Sequence, residues 1–167
     1  MKNKKTLVLL RHAKSSWKDP ELDDQERPLN DRGRRNAAQM GRLTKDKDLV
    51  PDLVLCSTAQ RTRETAALFF AEWNVSPSTV YRDDLYHAEP SQIEGIVNSV
   101  DDSVESLMII GHNPGLEEFL TQHTGNAFEM PTGALARVDF ELDSWSHYKD
   151  VTQGRMILFW RPKELGF

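Results

Sequence analysis

Residues 6–12 read Thr6-Leu7-Val8-Leu9-Leu10-Arg11-His12, an apolar run that ends without a break in an arginine and a histidine. A contiguous run of this length, as opposed to an alternating one, suits a strand buried on both faces of a helix-covered sheet. Residues 53–56 (LVLC) and 107–110 (LMII) have the same character. Helical patterns lie between them. Asn30 can cap a helix whose small or apolar positions include Ala37, Met40, Gly41 and Thr44. A second helix is expected from Ser57, with Gln60 completing a capping box and Ala66, Phe69, Phe70 and Trp73 as its inner stripe. A third follows Pro90, with Ile93, Ile96, Val97 and Val100 on one side. A fourth is expected from Asn113, with Pro114 at the first helical position and Glu117 and Glu118 near the positive end of the dipole. After Pro131, residues 135–142 and 155–161 read as antiparallel strands added at an edge. The expectation is one α/β domain over residues 1–167, its mixed and mostly parallel central sheet flanked by helices on both faces.

A length of 167 residues accommodates one domain with a substantial core. With 38% hydrophobic and 28% charged residues, the chain has ordinary globular usage. Its 21 basic and 26 acidic residues give a formal net charge of -5. No global attraction therefore draws it to nucleic acid or to an anionic membrane, and any anion must be held by a local cluster. The basic residues before Leu7 faintly mimic a signal peptide, but the apolar run is too short and lacks a cleavage site. Cys56 is the single cysteine, which excludes an intramolecular disulfide and a zinc quartet and points to a reducing, cytoplasmic setting. No cofactor or metal motif is expected.

In an open α/β sheet, ligands collect at the carboxyl ends of strands and the N-termini of the following helices. Three such junctions hold chemistry-bearing residues. The first strand ends in Arg11 and His12, Arg61 lies in the first turn of the second helix, and the 107–110 strand ends in Gly111 and His112. Arginine offers planar donors matched to a phosphoryl group, and helix N-termini add backbone N–H groups and positive potential. Neighbouring positive charge would hold an imidazole neutral, which makes it a nucleophile beside an anion site.

The segment LVLLRHAKSSW resembles the signature of the histidine phosphatase superfamily, with its phosphoglycerate mutase-like fold, and the RHAKSSW form is similar to the SixA-type phosphohistidine phosphatase branch. RPLNDRGRRNA, CSTAQRTRETA, IIGHNPGLEEFL and MPTGALARVDF agree in order along the chain. The resemblance implies that His12 is the nucleophile, forming a covalent phosphohistidine, with Arg11, Arg61 and His112 binding the phosphoryl oxygens and no metal required. Asn113 is a supporting substrate contact by adjacency, and Lys14 is close enough to reach the phosphoryl group or a substrate carboxylate. Ala13 and Thr58 stand where many members have glycine and proline.

Many superfamily members place a glutamate acid in a Leu-x-Glu stretch, where this chain reads Leu85-Tyr86-His87-Ala88-Glu89. His87 falls at the expected position, so His87 and Glu89 are the candidate general acids. Asp83, Asp84 and the acidic loop 19–26 are expected to be solvated. An imidazole leaving from phosphohistidine needs acid assistance far less than an alkoxide, so the missing glutamate favours a P–N bond. The expected substrate is phosphohistidine in a protein. The alternatives are small phosphate esters or anhydrides, and a non-catalytic module that binds phosphorylated ligands.

Overall fold

Contiguous apolar runs produce strands with no solvent-facing side, and the computed structural model bears this out over the residues it describes, 3–47, 49–74, 76–150 and 153–167. Six strands form one sheet: β1 (Lys4–Arg11), β2 (Leu53–Ser57), β3 (Thr79–Arg82), β4 (Ser106–Gly111), β5 (Leu135–Glu141) and β6 (Arg155–Trp160). Their order across the sheet is β3-β2-β4-β1-β5-β6. The first four in that order are parallel, while β5 and β6 run antiparallel at one edge. Four helices, α1 (Asp31–Lys45), α2 (Gln60–Ala71), α3 (Pro90–Asn98) and α4 (Gly115–Thr124), cover the sheet.

Successive residues of β1 serve opposite faces. Leu7 and Leu9 join Ile93, Ile96 and Val97 of α3 and Leu116, Phe119 and Leu120 of α4. Val8 and Leu10 join Met40 of α1 and Ala66 and Phe69 of α2. Two cores back to back therefore fix β1 and β4 at the centre, the cheapest place to bury strands that lack a polar face.

Local signals explain the helix ends, with two corrections. Asn30 caps α1 as expected, its Oδ1 accepting from Gly33 N–H at 2.8 Å. The capping box expected at Ser57 does not form. Ser57 ends β2, its Oγ accepts from Ala59 N–H at 3.3 Å, and Gln60 is the first residue of α2. Likewise α4 begins at Gly115 rather than at Pro114, which serves as the N-cap with αR dihedrals. The Asn113–Pro114 peptide is cis. Strand β3 escapes the apolar-run reading because it is an edge strand whose residues are largely exposed.

Helices α1 and α2 approach closely at Gly41. A Cβ there would lie 2.2 Å from the carbonyl oxygen of Phe69, and Gly41's own carbonyl accepts from Trp73 Nε1 at 2.9 Å. The obstacle is backbone, so no side-chain rotation relieves it. Gly41→Val should lower unfolding stability by roughly 1–3 kcal/mol, the scale of overpacking. A urea midpoint that does not move, at unchanged slope, would refute this account of the helix contact.

Candidate active site

At the carboxyl end of the parallel strands, the backbone holds His12 on two sides. His12 N–H donates to Gly111 O at 3.1 Å, and His12 O accepts from Gly133 N–H at 2.9 Å. The next residue, Ala13, donates its N–H to Thr65 Oγ1 at 3.0 Å, and Thr65 in turn donates to Arg61 O at 2.7 Å. Strand end and helix α2 are thus joined by one chain of hydrogen bonds, which positions Arg61 relative to His12.

The imidazole of His12 is 7% exposed. Its Nδ1 lies 2.7 Å from Ala13 O. A carbonyl only accepts, so Nδ1 carries the proton and Nε2 keeps its lone pair. Burial, reinforced by Arg61, Arg11 and Arg27 and opposed by the Ala13 hydrogen bond, pushes the imidazole pKa down to about 3. His12 is therefore neutral at pH 7. The ring of His112 stands 5.3 Å from that of His12, centroid to centroid. His112 Nε2 meets Ser57 Oγ at 2.8 Å. Burial, His12, Arg61 and His87 push the His112 pKa down to about 2.

Three buried polar atoms at this end of the sheet, Arg11 Nε, His112 Nδ1 and Asn113 Oδ1, have no hydrogen-bond partner among the described residues. Arg11 Nη1 donates to Met130 O at 2.9 Å. Asn113 spends its amide N–H groups internally, on Glu117 Oε2 at 2.5 Å and Met130 O at 2.8 Å. What it leaves open is an acceptor, suited to a donor group and not to a phosphoryl oxygen.

Arg61, 4% exposed, donates from Nη1 to Asp24 O at 2.6 Å and from Nη2 to Asp24 Oδ2 at 2.9 Å. Asp24 also receives Arg27 Nη1 at 2.9 Å and the Tyr86 hydroxyl, and His87 Nε2 stands 3.5 Å from its Oδ2. Burial would raise the Asp24 pKa, but the hydrogen bonds from Tyr86, Arg27 and Arg61 outweigh it and hold the carboxyl well below its usual range. The acidic loop is thus corrected in part. Asp24 is half-exposed, and its carboxylate is held by the arginines of the site.

The two candidate acids separate. The His87 ring stacks on Tyr86 at 4.1 Å and meets His112 edge-on at 5.6 Å, with its backbone at a positive φ of 52°. Glu89 is exposed at the start of α3, where its N–H donates to Gln92 Oε1 at 2.8 Å, and it lines a neighbouring groove with Glu94 and Glu118. Asp83 accepts from Thr58 Oγ1 at 2.6 Å, and Asp84 is paired with Arg82. Lys14 is exposed at the mouth of a second groove. Arg11, His12, Arg61 and His112 come together as expected.

Sequence reasoning missed Asp24, Arg27, Ser57 and Tyr86. Asp24 is one of five acidic residues between 19 and 26, and nothing local distinguishes it. Arg27, in the same charged stretch, is equally undistinguished in the sequence. In the structure it is buried, with Nη2 on Ser15 Oγ at 2.6 Å and Nε on Ser16 O at 3.1 Å.

Comparison with known proteins agrees with this architecture. The profile of the histidine phosphatase superfamily (branch 1) matches residues 7–106. An uncharacterized chloroplastic protein of Arabidopsis thaliana is 32% identical over 148 residues, 83% of this chain and 68% of that protein. Among solved structures, a protein assigned as phosphohistidine phosphatase SixA from Agrobacterium tumefaciens superposes with a TM-score of 0.82 at 31% identity, covering 95% of this chain and 98% of that one. Another so assigned, from Nakamurella multipartitia, gives 0.82 at 26% identity, covering 96% and 97%.

Two buried neutral histidines make stability depend on pH. Each has a folded pKa far below its ordinary 6.5, so below that value the unfolded chain binds protons that the native chain does not. Stability should fall as pH drops from 6.5, by about 1.4 kcal/mol per pH unit for each histidine. Asp24 acts in a separate window, its contribution being lost only below its ordinary 3.8. Denaturant titrations between pH 7 and 5 should show a shallower slope for His12→Ala than for the wild type, and equal slopes would contradict the assigned protonation states.

Proposed function

The chain belongs to the histidine phosphatase superfamily, and from that premise we propose that it removes the phosphoryl group from phosphohistidine in a protein, with His12 Nε2 as the nucleophile. The observation that carries this reading is the Nδ1–Ala13 O hydrogen bond, which directs the proton to one nitrogen and leaves the lone pair on the other. Neutrality of the ring at pH 7 means that no deprotonation precedes attack.

The first step forms the Nε2–P bond while the P–N bond to the substrate imidazole, protonated on its other ring nitrogen, breaks, its electron pair staying on the released nitrogen so that neutral imidazole leaves. Water then attacks the phosphorus, the Nε2–P bond breaks, its electron pair returns to His12, and phosphate departs carrying the protons of the water as dihydrogen phosphate. Arg11 and Arg61 bring fixed positive charge to the equatorial oxygens, and so does Arg27, which the sequence reading did not include. The unpartnered His112 Nδ1 and Arg11 Nε fit the same role, because buried polar atoms without partners are rare unless a ligand completes them. Asp24 must give up part of its hold on Arg61 when the anion enters. Its carboxylate, kept ionised by the arginines, is a poor proton donor in the resting site. His87 is the better placed of the two candidate acids. A leaving imidazole makes modest demands on it.

Small phosphate esters are the second reading, and the leaving group separates the two. Phosphohistidine and activated aryl phosphates should react well and alkyl phosphates poorly, with Glu89→Gln nearly silent. The measurement is kcat/KM over a leaving-group series for both proteins. Efficient alkyl ester turnover that collapses in Glu89→Gln would make Glu89 the acid and move the assignment to small-molecule substrates. Rapid quenching with labelled substrate should trap an acid-labile phosphoenzyme in the wild type and none in His12→Ala, and retained turnover in that variant would exclude His12 as nucleophile. Arg61→Ala should lower kcat by roughly a hundredfold or more, as for loss of one transition-state donor. An unchanged kcat with a raised KM would demote Arg61 to a binding contact.

A further inference from the structure

Directly beyond His12 the chain turns along a groove of about 810 Å³ that the chemistry above does not use. Its floor includes Leu22, Pro28 and Leu29, and its rim carries Lys14, Trp17, Lys18 and Arg32. Trp17 is 73% exposed although it is a large aromatic, and the Arg27 guanidinium lies 3.2 Å from its ring centroid. Arg27 lies buried behind Trp17 and links the two regions, with its Nη1 on Asp24 in the site and its cation over the Trp17 ring.

The charge here runs against that of the molecule. Of the two acidic residues in the groove, Asp31 is paired with Arg34, and Asp19 is exposed and accepts from the Glu21 N–H at 3.0 Å. Lys14, Lys18 and Arg32 are exposed, and among the described residues none has a carboxylate within ion-pair distance. A chain of formal charge -5 thus presents here Lys14, Lys18, Arg32 and Arg34 against Asp19 and Asp31, with one exposed indole, close in sequence to its candidate nucleophile. The arrangement suits an extended anionic ligand that makes apolar contact as well.

We propose that this groove docks the substrate protein by an acidic segment flanking its phosphohistidine. The inference rests on the phosphoprotein reading and adds the sequence context of the substrate. Exposed charge pairs are individually weak, so the preference should be about tenfold in total. It should act on KM, because the contacts are made equally in ground and transition states.

The test uses two phosphohistidine peptides, identical except that the flanking residues are Asp and Glu in one and Asn and Gln in the other, together with an aryl phosphate. Wild type should favour the acidic peptide about tenfold in kcat/KM. The double variant Lys18→Glu/Arg32→Glu should lose that preference while keeping aryl phosphate turnover and thermal stability. Equal use of both peptides by the wild type overturns the proposal. If neither peptide is turned over while the aryl phosphate is, the phosphoprotein reading fails and binding decides the groove by itself. The unphosphorylated acidic peptide is then titrated by intrinsic fluorescence, with Trp17→Phe as reference. Salt-sensitive binding lost in the double variant supports the docking surface, and absence of binding overturns it. Equally potent displacement by a single-stranded oligonucleotide would also overturn it, as a sign of unselective polyanion binding.

Discussion

Parallel pairing of β1 with β4, in the register that sets Arg11 opposite Gly111, is the constraint from which the site follows. One residue further along each strand, His12 and His112 are forced into neighbouring positions, and their rings come within 5.3 Å. A slip of one residue would exchange the faces of β1, moving Leu7 and Leu9 out of the α3–α4 core and Val8 and Leu10 out of the α1–α2 core. Both cores resist that slip. The same burial that stabilises the sheet therefore fixes the geometry of the two histidines.

The electrostatics of the site follow from placing cations and imidazoles together in a poorly hydrated pocket. Burial and the arginines hold both histidines neutral, and the Ala13 carbonyl selects the tautomer of His12. The resting site balances its positive charge with an internal anion, Asp24, which takes hydrogen bonds from Arg27, Arg61 and Tyr86. A loop carboxylate in that position holds the two arginine side chains in place.

The groove beyond His12 stands on the same framework. Its cationic rim belongs to the loop after β1 and the first turn of α1, and Arg27 couples it to the site through Asp24 on one side and Trp17 on the other. The candidate site and the groove are thus built from adjacent stretches of one connection, anchored on the central strands.

Much of this was legible in residue order. Contiguous apolar runs identify β1, β2 and β4 because a strand buried on both faces leaves no room for polar residues, and Asn30 marks the start of α1 because its side chain can satisfy a free helix N–H. The RH, QRTRE and GHN junctions point to Arg11, His12, Arg61 and His112, since strand ends and helix starts are where α/β sheets expose ligand-binding groups. The edge strand β3 was hidden because half-exposed strands need no apolar run. Asp24, Tyr86 and Ser57 were hidden for a different reason: each acts through a partner distant in the chain, Asp24 on Arg61, Tyr86 on Asp24 and Ser57 on His112. Local pattern records which residues can do chemistry and where the backbone turns. Only the tertiary structure decides which of five loop acids meets an arginine, because that depends on how the connection, with its short 3-10 turn over Asp24–Glu26, packs against a helix far away in sequence.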